Sequence, residues 1–167
     1  MNIITAEAPA DIEEIRQLFR EYHRFLGVDL EFQAFESELA GLPGCYGPPD
    51  GLLLLAKEGE RSIGCGAIRR CGDISDRTCE MKRLYVRPNA RGLGAGRRIA
   101  SLLIEEAVIM GYDTMVLDTL QRLKSAMKLY ESFGFRRTDP YYDNPLEGVV
   151  YWRLDLKIYP TLDTSKN

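Results

Sequence analysis

The sequence has few of the residues that bind metal ions or carry nucleophilic catalysis. His23 is the only histidine among 167 residues. The four cysteines, Cys45, Cys65, Cys71 and Cys79, form no Cys-x-x-Cys pair and have no metal-like spacing to the histidine. We therefore predict no metal site. A Ser-His-Asp or Cys-His mechanism would depend on one histidine that has no catalytic motif around it.

Long hydrophobic runs are also absent, and the short run 52–56 fits a buried strand rather than a membrane span. Residues 1–7 lack the basic flank and apolar core of a secretory signal. We therefore expect a cytoplasmic protein that does not contact a membrane. The length predicts a single domain over residues 1–160, followed by a polar, loosely ordered tail over 161–167.

Charge is distributed unevenly along the chain, whose net charge is -3. Residues 1–60 contain twelve acidic and four basic side chains, whereas the remainder contains thirteen acidic and eighteen basic ones. An acidic N-terminal part does not suggest a nucleic-acid surface, so we predict no nucleic-acid partner. The same acidic region is suited to attract a cationic amine, although solvated helix faces also account for such carboxylates.

Hydrophobic periodicity predicts a chain of both strands and helices. We expect helices at 9–26, 31–40, 94–110 and about 123–132, and strands at 2–6, 51–57, 62–70, 78–86, 115–117, just after Phe135 and at 149–156. Three consecutive strands indicate an antiparallel meander, and the strand–helix–strand unit after them indicates a parallel pair with a right-handed crossover. These elements predict a mixed α/β (α+β) fold with a mostly antiparallel sheet of six to seven strands and about four helices.

A basic, glycine-rich turn interrupts this acidic chain. The stretch 81–98 holds six basic residues and no acidic one, and it contains Arg91-Gly92-Leu93-Gly94-Ala95-Gly96. A pyrophosphate needs several backbone N–H groups to converge on it, and glycine lets the main chain come that close. The helix predicted to begin here adds the positive end of its dipole. The segment therefore predicts a pyrophosphate-binding turn between a strand and a helix.

Other interpretations of the turn differ in what they require of the flanking sequence. An ordinary strand-to-helix turn requires nothing more. A Rossmann dinucleotide site expects its glycines after the first strand and an acidic residue about twenty positions later. Asp113 and Asp118 lie near that distance, but three antiparallel-looking strands precede the turn. A phosphate-hydrolysing P-loop is excluded because no Gly-Lys-Ser/Thr ends the turn.

Two spaced motifs resemble those of the GNAT superfamily of N-acetyltransferases. The hexapeptide 91–96 matches the superfamily's Arg/Gln-x-x-Gly-x-Gly/Ala signature for acetyl-CoA, and it follows a segment, 81–88, that is similar to the family's central strand. The second motif is Ala126-Met127-Lys128-Leu129-Tyr130-Glu131-Ser132-Phe133-Gly134-Phe135. The resemblance is strong over residues 51–156, and it implies a GNAT-like acetyltransferase domain over 1–160 with acetyl-CoA as co-substrate and no metal.

The resemblance also implies where the donor would bind. In this family the central strand splays from its neighbour, and the pantetheine arm of the cofactor lies in the gap. The strand main chain would pair with the arm and the acetyl group, and the glycine turn would hold the pyrophosphate. The residues implied are Leu84, Tyr85 and Val86 for the arm and Arg91, Gly92, Leu93, Gly94, Ala95, Gly96 and Arg97 for the pyrophosphate. Many members carry an asparagine cofactor contact where this chain has Leu123, so the chain departs from the family's pattern at this position.

Catalysis in the family is direct attack of an amine on the thioester, which needs a proton acceptor and a proton donor. Tyr130 matches the tyrosine commonly assigned as general acid. The alternative is a core tyrosine, because Tyr130 continues the apolar helical stripe of Leu123, Ala126 and Met127.

The general base is less well defined by the sequence. Glu80 lies on the central strand and is predicted to share its face with Lys82, Leu84 and Val86. Some family members place a basic carboxylate on this strand, so Glu80 is our first candidate for the base. The alternative for Glu80 is a salt bridge with Lys82 or Arg83. Asp118, at the end of the next strand, is the second candidate, and water is the third.

The acceptor is predicted to be the primary amine of a small molecule, either amino-acid-like or polyamine-like. Substrate residues in this family come from the first helices and last strands, which here offer Tyr22, His23, Phe25, Phe32, Tyr46, Tyr141 and Tyr142. A protein or peptide N-acetyltransferase, a non-catalytic acyl-CoA-binding domain and a nucleotide-binding oxidoreductase are the alternatives. The apolar strand 149–152 would allow a homodimer, although burial within the monomer is the default expectation.

Overall fold

The computed structural model describes residues 1–159, without the side chain of Phe32. Seven strands form one sheet: β1 Asn2–Thr5, β2 Leu52–Glu58, β3 Arg61–Arg70, β4 Thr78–Val86, β5 Thr114–Leu120, β6 Arg136–Thr138 and β7 Val149–Asp155. The described residues also form four α-helices: α1 Pro9–Leu26, α2 Phe35–Ala40, α3 Ala95–Ile109 and α4 Lys124–Ser132. The strand order is β1-β2-β3-β4-β5-β7-β6, and only the β4–β5 pair is parallel. The predicted mixed, mostly antiparallel fold is confirmed.

Two of the predicted elements differ from the structure. The helix predicted at 31–40 is divided into a 3₁₀ turn, Glu31–Gln33, and α2. Ala34 lies between them with a left-handed φ of 53°, which an α-helix cannot accommodate. The strand predicted at 115–117 is longer, because the polar residues at 118 and 119 continue the pairing of β5 with β7.

Helices cover both faces of the sheet. On one face, α1 and α2 bury a core to which α1 contributes Ile12, Ile15, Leu18, Phe19 and Leu26. On the other face, α3 and α4 bury a core that includes Ile99, Leu103 and Ala107 of α3 and Met127 and Tyr130 of α4. Since each helix buries the apolar stripe that predicted it, the sheet is enclosed between two cores.

A β-bulge at Arg83 interrupts the central strand. Ala67 of β3 pairs with Lys82, and Cys65 pairs with Tyr85, so β4 has one residue more than β3 at this point. Arg83 has a φ of 57°, the left-handed region that a non-glycine residue seldom adopts. Such an extra residue bends the strand and re-aims the side chains that follow it.

The bulge corrects one prediction about the faces of β4. Leu84 and Val86 pack against the core beneath α3, together with Met81. Glu80 and Lys82 point to the opposite face, where the Lys82 ammonium lies 3.6 Å from the Glu80 carboxylate. The prediction that Glu80 shares a face with Lys82 is confirmed, but the same prediction for Leu84 and Val86 is wrong. A period of two residues holds only until the extra residue is inserted.

The central strand separates from its parallel neighbour. β4 pairs with β5 through three residues only, Thr78 to Glu80 against Thr114 to Val116. Beyond Glu80 the two strands diverge, and β5 continues to pair with β7 on its other side. The splay implied by the family resemblance is therefore confirmed, and it leaves one edge of residues 81–86 without a β5 partner.

Several predictions concern matters that the fold does not test. The range 1–160 for a single domain stays a prediction, and the predicted tail, 161–167, lies outside the described residues. None of the helices within residues 1–159 is both long enough and apolar enough to span a membrane. In the strand 149–152, Tyr151 and Trp152 are buried by their own chain, and β7 lies between β5 and β6. A homodimer stays a prediction.

Candidate active site

A large cavity opens where β4 and β5 diverge, and its volume is about 670 Å³. All of the residues predicted to bind the donor line it except Leu93, whose side chain is 70% exposed at the tip of the glycine turn. The remaining walls come from α1, the end of β5 and α4: Tyr22, Phe25, Thr119, Arg122, Leu123, Lys124, Ser125, Ala126, Leu129 and Tyr130, with Ala90 beside the turn. The splayed strand, the glycine turn and the second motif thus meet at one cavity.

The glycine turn presents free backbone donors to this cavity. Gly92 and Gly94 have φ values of 82° and 80°, and a Cβ atom at either position would meet nothing within 4 Å. Glycine is therefore required by the backbone conformation, and the space beside the turn is open. Gly94 caps α3, and Arg98 donates the first bond of the helix to its carbonyl at 3.0 Å. The N–H groups of residues 95–97 consequently have no intrahelical partner and suit an anion.

The two predicted arginines are anchored at the rim of the cavity. Arg91 donates through Nε to the carbonyl of Val86 at 2.9 Å, and its guanidinium lies 4.5 Å from the centre of the Phe25 ring. Arg97 donates to the Ser132 hydroxyl at 2.8 Å. Arg91 therefore ties the turn to α1 and β4, while Arg97 ties it to α4. Both place positive charge beside the free N–H groups.

A smaller cavity, of about 50 Å³, adjoins the large one. The two share four lining residues: Tyr22, Leu84, Thr119 and Tyr130. The smaller cavity is otherwise lined by Leu26, Val28, Leu30, Gln33, Met81, Lys82, Arg83, Asp118, Leu120 and Leu146. It lies at the bulge in β4, and residues of both cores line it. Its position beyond the shared residues suits a second substrate that meets the first at their boundary.

Tyr130 stands at this boundary. Its side chain is buried, lines both cavities and packs edge-on against Phe135 at 5.7 Å. Burial, with smaller contributions from Tyr22 and Asp118, raises the pKa of Tyr130 well above its usual value. Tyr130 therefore stays a neutral hydroxyl, and it belongs to the core as well, as the alternative interpretation expected.

Glu80 occupies a different environment from the one predicted for a base. Its carboxylate is fully buried, lies 2.6 Å from a nitrogen of Arg69 and accepts a hydrogen bond of 2.8 Å from the Tyr141 hydroxyl. Burial alone would raise the pKa of Glu80, but the charges of Lys82 and Arg69 and the hydrogen bonds hold it below its ordinary value. It is not among the residues that line either cavity. This geometry favours the salt-bridge alternative, with Arg69 rather than Arg83 as the close partner.

Asp118 lies in the smaller cavity, and its side chain is 15% exposed. One carboxylate oxygen accepts hydrogen bonds from the Tyr142 hydroxyl at 2.8 Å and from the Asn144 amide at 3.4 Å. The other oxygen is 3.6 Å from the Lys82 ammonium. The loop 139–148 is thereby fastened to the end of β5. Asp118 is the only carboxylate among the lining residues of the two cavities.

The aromatic residues predicted for the acceptor do not all reach the cavities. Tyr22 and Phe25 line them, but the ring of His23 bonds to the carbonyl of Val28 at 3.0 Å, and Tyr46 is buried against α1. Tyr141 donates a hydrogen bond to Glu80, and Tyr142 donates one to Asp118. The side chain of Phe32 is not among those that the structure describes. Leu123, at the position of the family's asparagine, lines the large cavity. Within residues 1–159 no three His, Cys, Asp or Glu side chains are placed to hold a metal ion.

Sequence reasoning missed Lys82 and Gln33 as lining residues of the smaller cavity. Lys82 alternates with Glu80 along β4, and this spacing was the available signal that it faces the same side. No sequence signal indicated Gln33, because it is brought there by the break between the 3₁₀ turn and α2.

A buried ion pair fixes α2 against the bulge in β4. Arg83 donates to both carboxylate oxygens of Glu38, at 2.9 and 3.0 Å, and its side chain is only 3% exposed. Its guanidinium also lies 5.1 Å from the centre of the Phe35 ring. The pair thus joins the bulge of β4 to α2.

Arg83→Met should lower the free energy of unfolding by about 3–5 kcal/mol, because it leaves the Glu38 carboxylate buried without a partner. Urea denaturation would measure this, and the double variant with Glu38→Gln should lose less than the sum of the two single changes. Lys57→Met is the control, since the pair of Lys57 with Asp11 is more exposed and its loss should destabilise the fold much less. Equal losses in Arg83→Met and Lys57→Met would contradict the prediction.

Comparison with known proteins agrees with this geometry. The model of the acetyltransferase (GNAT) family matches residues 12–135. An uncharacterized N-acetyltransferase of Schizosaccharomyces pombe is 43% identical over 157 residues, which cover 93% of this chain and 95% of the relative. A GNAT-family acetyltransferase structure from Staphylococcus aureus has a TM-score of 0.74 at 19% identity and covers 93% of this chain and 98% of its own. The yncA structure from Salmonella typhimurium, which contains acetyl-CoA, has a TM-score of 0.66 at 23% identity and covers 93% of both chains. The protein therefore belongs to the acetyltransferase (GNAT) family and is an N-acetyltransferase.

Proposed function

We propose that this enzyme transfers an acetyl group from acetyl-CoA to the primary amine of a small molecule. The observation that carries the proposal is the meeting of two cavities at Tyr130, one suited to a long phosphorylated donor and the other to a small acceptor. Acetyl-CoA is the donor expected for the family, and it is bound in the yncA structure described above.

The large cavity offers each part of the donor a complementary surface. Free N–H groups at the start of α3, with Arg91 and Arg97 beside them, suit the pyrophosphate. The unpaired edge of β4, from Leu84 to Val86, suits the amide groups of the pantetheine arm, because an open strand edge pairs with an extended chain. The thioester would then lie near Tyr130, at the boundary of the smaller cavity.

The acceptor side is narrow, which favours a small molecule over a protein tail. The smaller cavity holds only about 50 Å³. Tyr142 of the loop 139–148 connects two of its lining residues, because it donates to Asp118 and accepts a hydrogen bond from Gln33 at 3.1 Å. The segment before α2, the loop and the end of β5 are thus joined across the acceptor side.

The chemistry follows from the two groups at the boundary. An ammonium acceptor first gives one proton to Asp118, which frees its lone pair to attack the carbonyl carbon of the thioester. The C–N bond forms and the C–S bond breaks, and the sulfur leaves with the electron pair and takes the Tyr130 proton. The second proton lost by nitrogen restores the Tyr130 hydroxyl. The products are the N-acetyl amine, the CoA thiol and one proton that leaves through Asp118.

Acetyl-CoA and CoA should raise the thermal unfolding midpoint, whereas NAD and ATP should not. Ligand at about 100 times its dissociation constant adds about 2.7 kcal/mol of apparent stability. Gly94→Val should abolish this stabilisation, because it strains the turn and fills the donor side of α3. Gly59→Val is the matched control, since Gly59 also has a positive φ and open space but lies in the β2–β3 turn. Stabilisation by NAD alone would favour the oxidoreductase.

Thiol release from acetyl-CoA, followed with a panel of amino acids, polyamines, aminoglycosides and peptides, would test the acceptor. The proposal expects release with small amines. Release with peptides alone would indicate a peptide N-acetyltransferase, and stabilisation by acetyl-CoA without release with any amine would indicate a non-catalytic acyl-CoA-binding domain.

A further inference from the structure

We propose that the acceptor carries a carboxylate beside its amine, as an amino acid does, and that Lys82 binds this carboxylate in the smaller cavity. The inference rests on the proposed function and narrows it, since that function also admits polyamines. Lys82 would then be a specificity-determining residue rather than a catalytic one.

Lys82 is a buried cation without a close partner. Its side chain is 6% exposed and lines the smaller cavity. The ammonium lies 3.6 Å from a Glu80 oxygen, 3.6 Å from an Asp118 oxygen and 3.5 Å from the Gln33 amide oxygen. A charged N–H···O bond is normally about 2.7–2.9 Å long, so all three contacts are loose. A buried ammonium in this state gains from any anion that reaches it.

The neighbouring carboxylates are already bound more closely by other groups. Glu80 has Arg69 at 2.6 Å and the Tyr141 hydroxyl at 2.8 Å. Asp118 has the Tyr142 hydroxyl at 2.8 Å. The closest partners of both carboxylates therefore come from elsewhere, and the Lys82 ammonium keeps donor capacity directed into the cavity.

The lining charges match a zwitterion better than a polyamine. Asp118 offers a carboxylate to an ammonium, and Lys82 offers an ammonium to a carboxylate, within one cavity of about 50 Å³. A polyamine would bring a second positive charge against Lys82, and like charges in a buried site repel strongly. Arg83, also in the lining, is paired with Glu38. The Glu38 carboxylate is therefore not free to offset that repulsion.

The test compares three acceptors that differ only at the carboxylate: an amino acid, its carboxamide and its decarboxylated amine. The wild-type enzyme should favour the amino acid by about 10-fold to 100-fold in kcat/KM, the range expected for one hydrogen-bonded charge pair. Lys82→Met should remove this preference mainly through KM, and Lys82→Arg should keep most of it. Lys57→Met is the control on a remote strand. A purely structural role for Lys82 would lower activity on all three acceptors alike.

The results separate this inference from the function on which it rests. Equal use of the amino acid and its carboxamide by the wild type would overturn the inference while small-molecule acetylation stands. A preference that survives in Lys82→Met would overturn the role of Lys82. Failure of every small amine to release CoA would overturn the proposed function and the inference together. The wild-type comparison decides the acceptor class even if Lys82→Met does not fold.

Discussion

Tyr130→Phe is expected to lower kcat by about 10²–10⁴-fold, the usual worth of a positioned proton donor, while acetyl-CoA still binds. The departing thiolate would lose its proton source, but the ring would keep its contact with Phe135 and its place in the core beneath α4. The measurement is thiol release at saturating acceptor, together with the thermal shift that acetyl-CoA produces. A loss confined to kcat would mean that the hydroxyl acts only during the reaction.

Tyr46→Phe provides the matched control for this change. The hydroxyl of Tyr46 is buried without a hydrogen-bond partner in the described part of the chain, and it lies against α1 rather than in either cavity. Removing it should leave kcat unchanged, so any general effect of losing a buried hydroxyl would appear there. If Tyr130→Phe kept kcat within about threefold of the wild type, Tyr130 would be a core residue alone, as the helical stripe first allowed.

Local patterns predicted most of the residues that the structure brings together at the large cavity, because these residues lie close together in sequence. The α1 bounds, 9–26, follow from helical periodicity with a proline at the start and glycine after the end. The strand β4, predicted at 78–86, is followed by the glycine turn and α3, and all three lie within about thirty residues. Each of these elements depends on the backbone preferences of residues that are neighbours in sequence.

The environment of Glu80, the first candidate for the base, could not be predicted in the same way because it depends on long-range contacts. Arg69, from the adjacent strand, and Tyr141, from the loop 139–148, enclose Glu80, and no spacing rule connects the three positions. The bulge at Arg83 is a second cause. It depends on how β3 and β4 align, and it reverses the faces of every residue after it on the strand.

The acidic N-terminal region also has a structural explanation that its composition alone did not reveal. Glu38 pairs with Arg83, and Glu21 accepts two hydrogen bonds from Arg87, at 2.7 and 2.9 Å. These carboxylates therefore anchor α1 and α2 to the basic strand β4. The charge is uneven along the chain because acidic side chains of the two helices form ion pairs with basic side chains in and just after β4. These ion pairs leave fewer free carboxylates to attract a cationic amine.

Asp118→Asn is expected to lower kcat by about 10²–10⁴-fold, and Glu80→Gln is expected to lower it less. Asp118 lines the smaller cavity, whereas Glu80 is enclosed by Arg69 and Tyr141. Without a base, only acceptor molecules that are already unprotonated react, so the Asp118→Asn rate should rise about tenfold per pH unit below the pKa of the amine. A larger loss of kcat in Glu80→Gln would instead make Glu80 the base.

Glu80→Gln should show its main effect in stability, and the pH dependence identifies the cause. Because the pKa of Glu80 is lower in the folded state than in the unfolded one, the ionised carboxylate stabilises the fold above its unfolded pKa. This stabilisation is lost as the pH falls through the lowered folded value. The difference in unfolding free energy between wild type and Glu80→Gln should therefore be largest near neutral pH and shrink in acid. A difference that does not change with pH would mean that the Glu80 charge does not stabilise the fold, and that its contacts with Arg69 and Tyr141 act through shape alone.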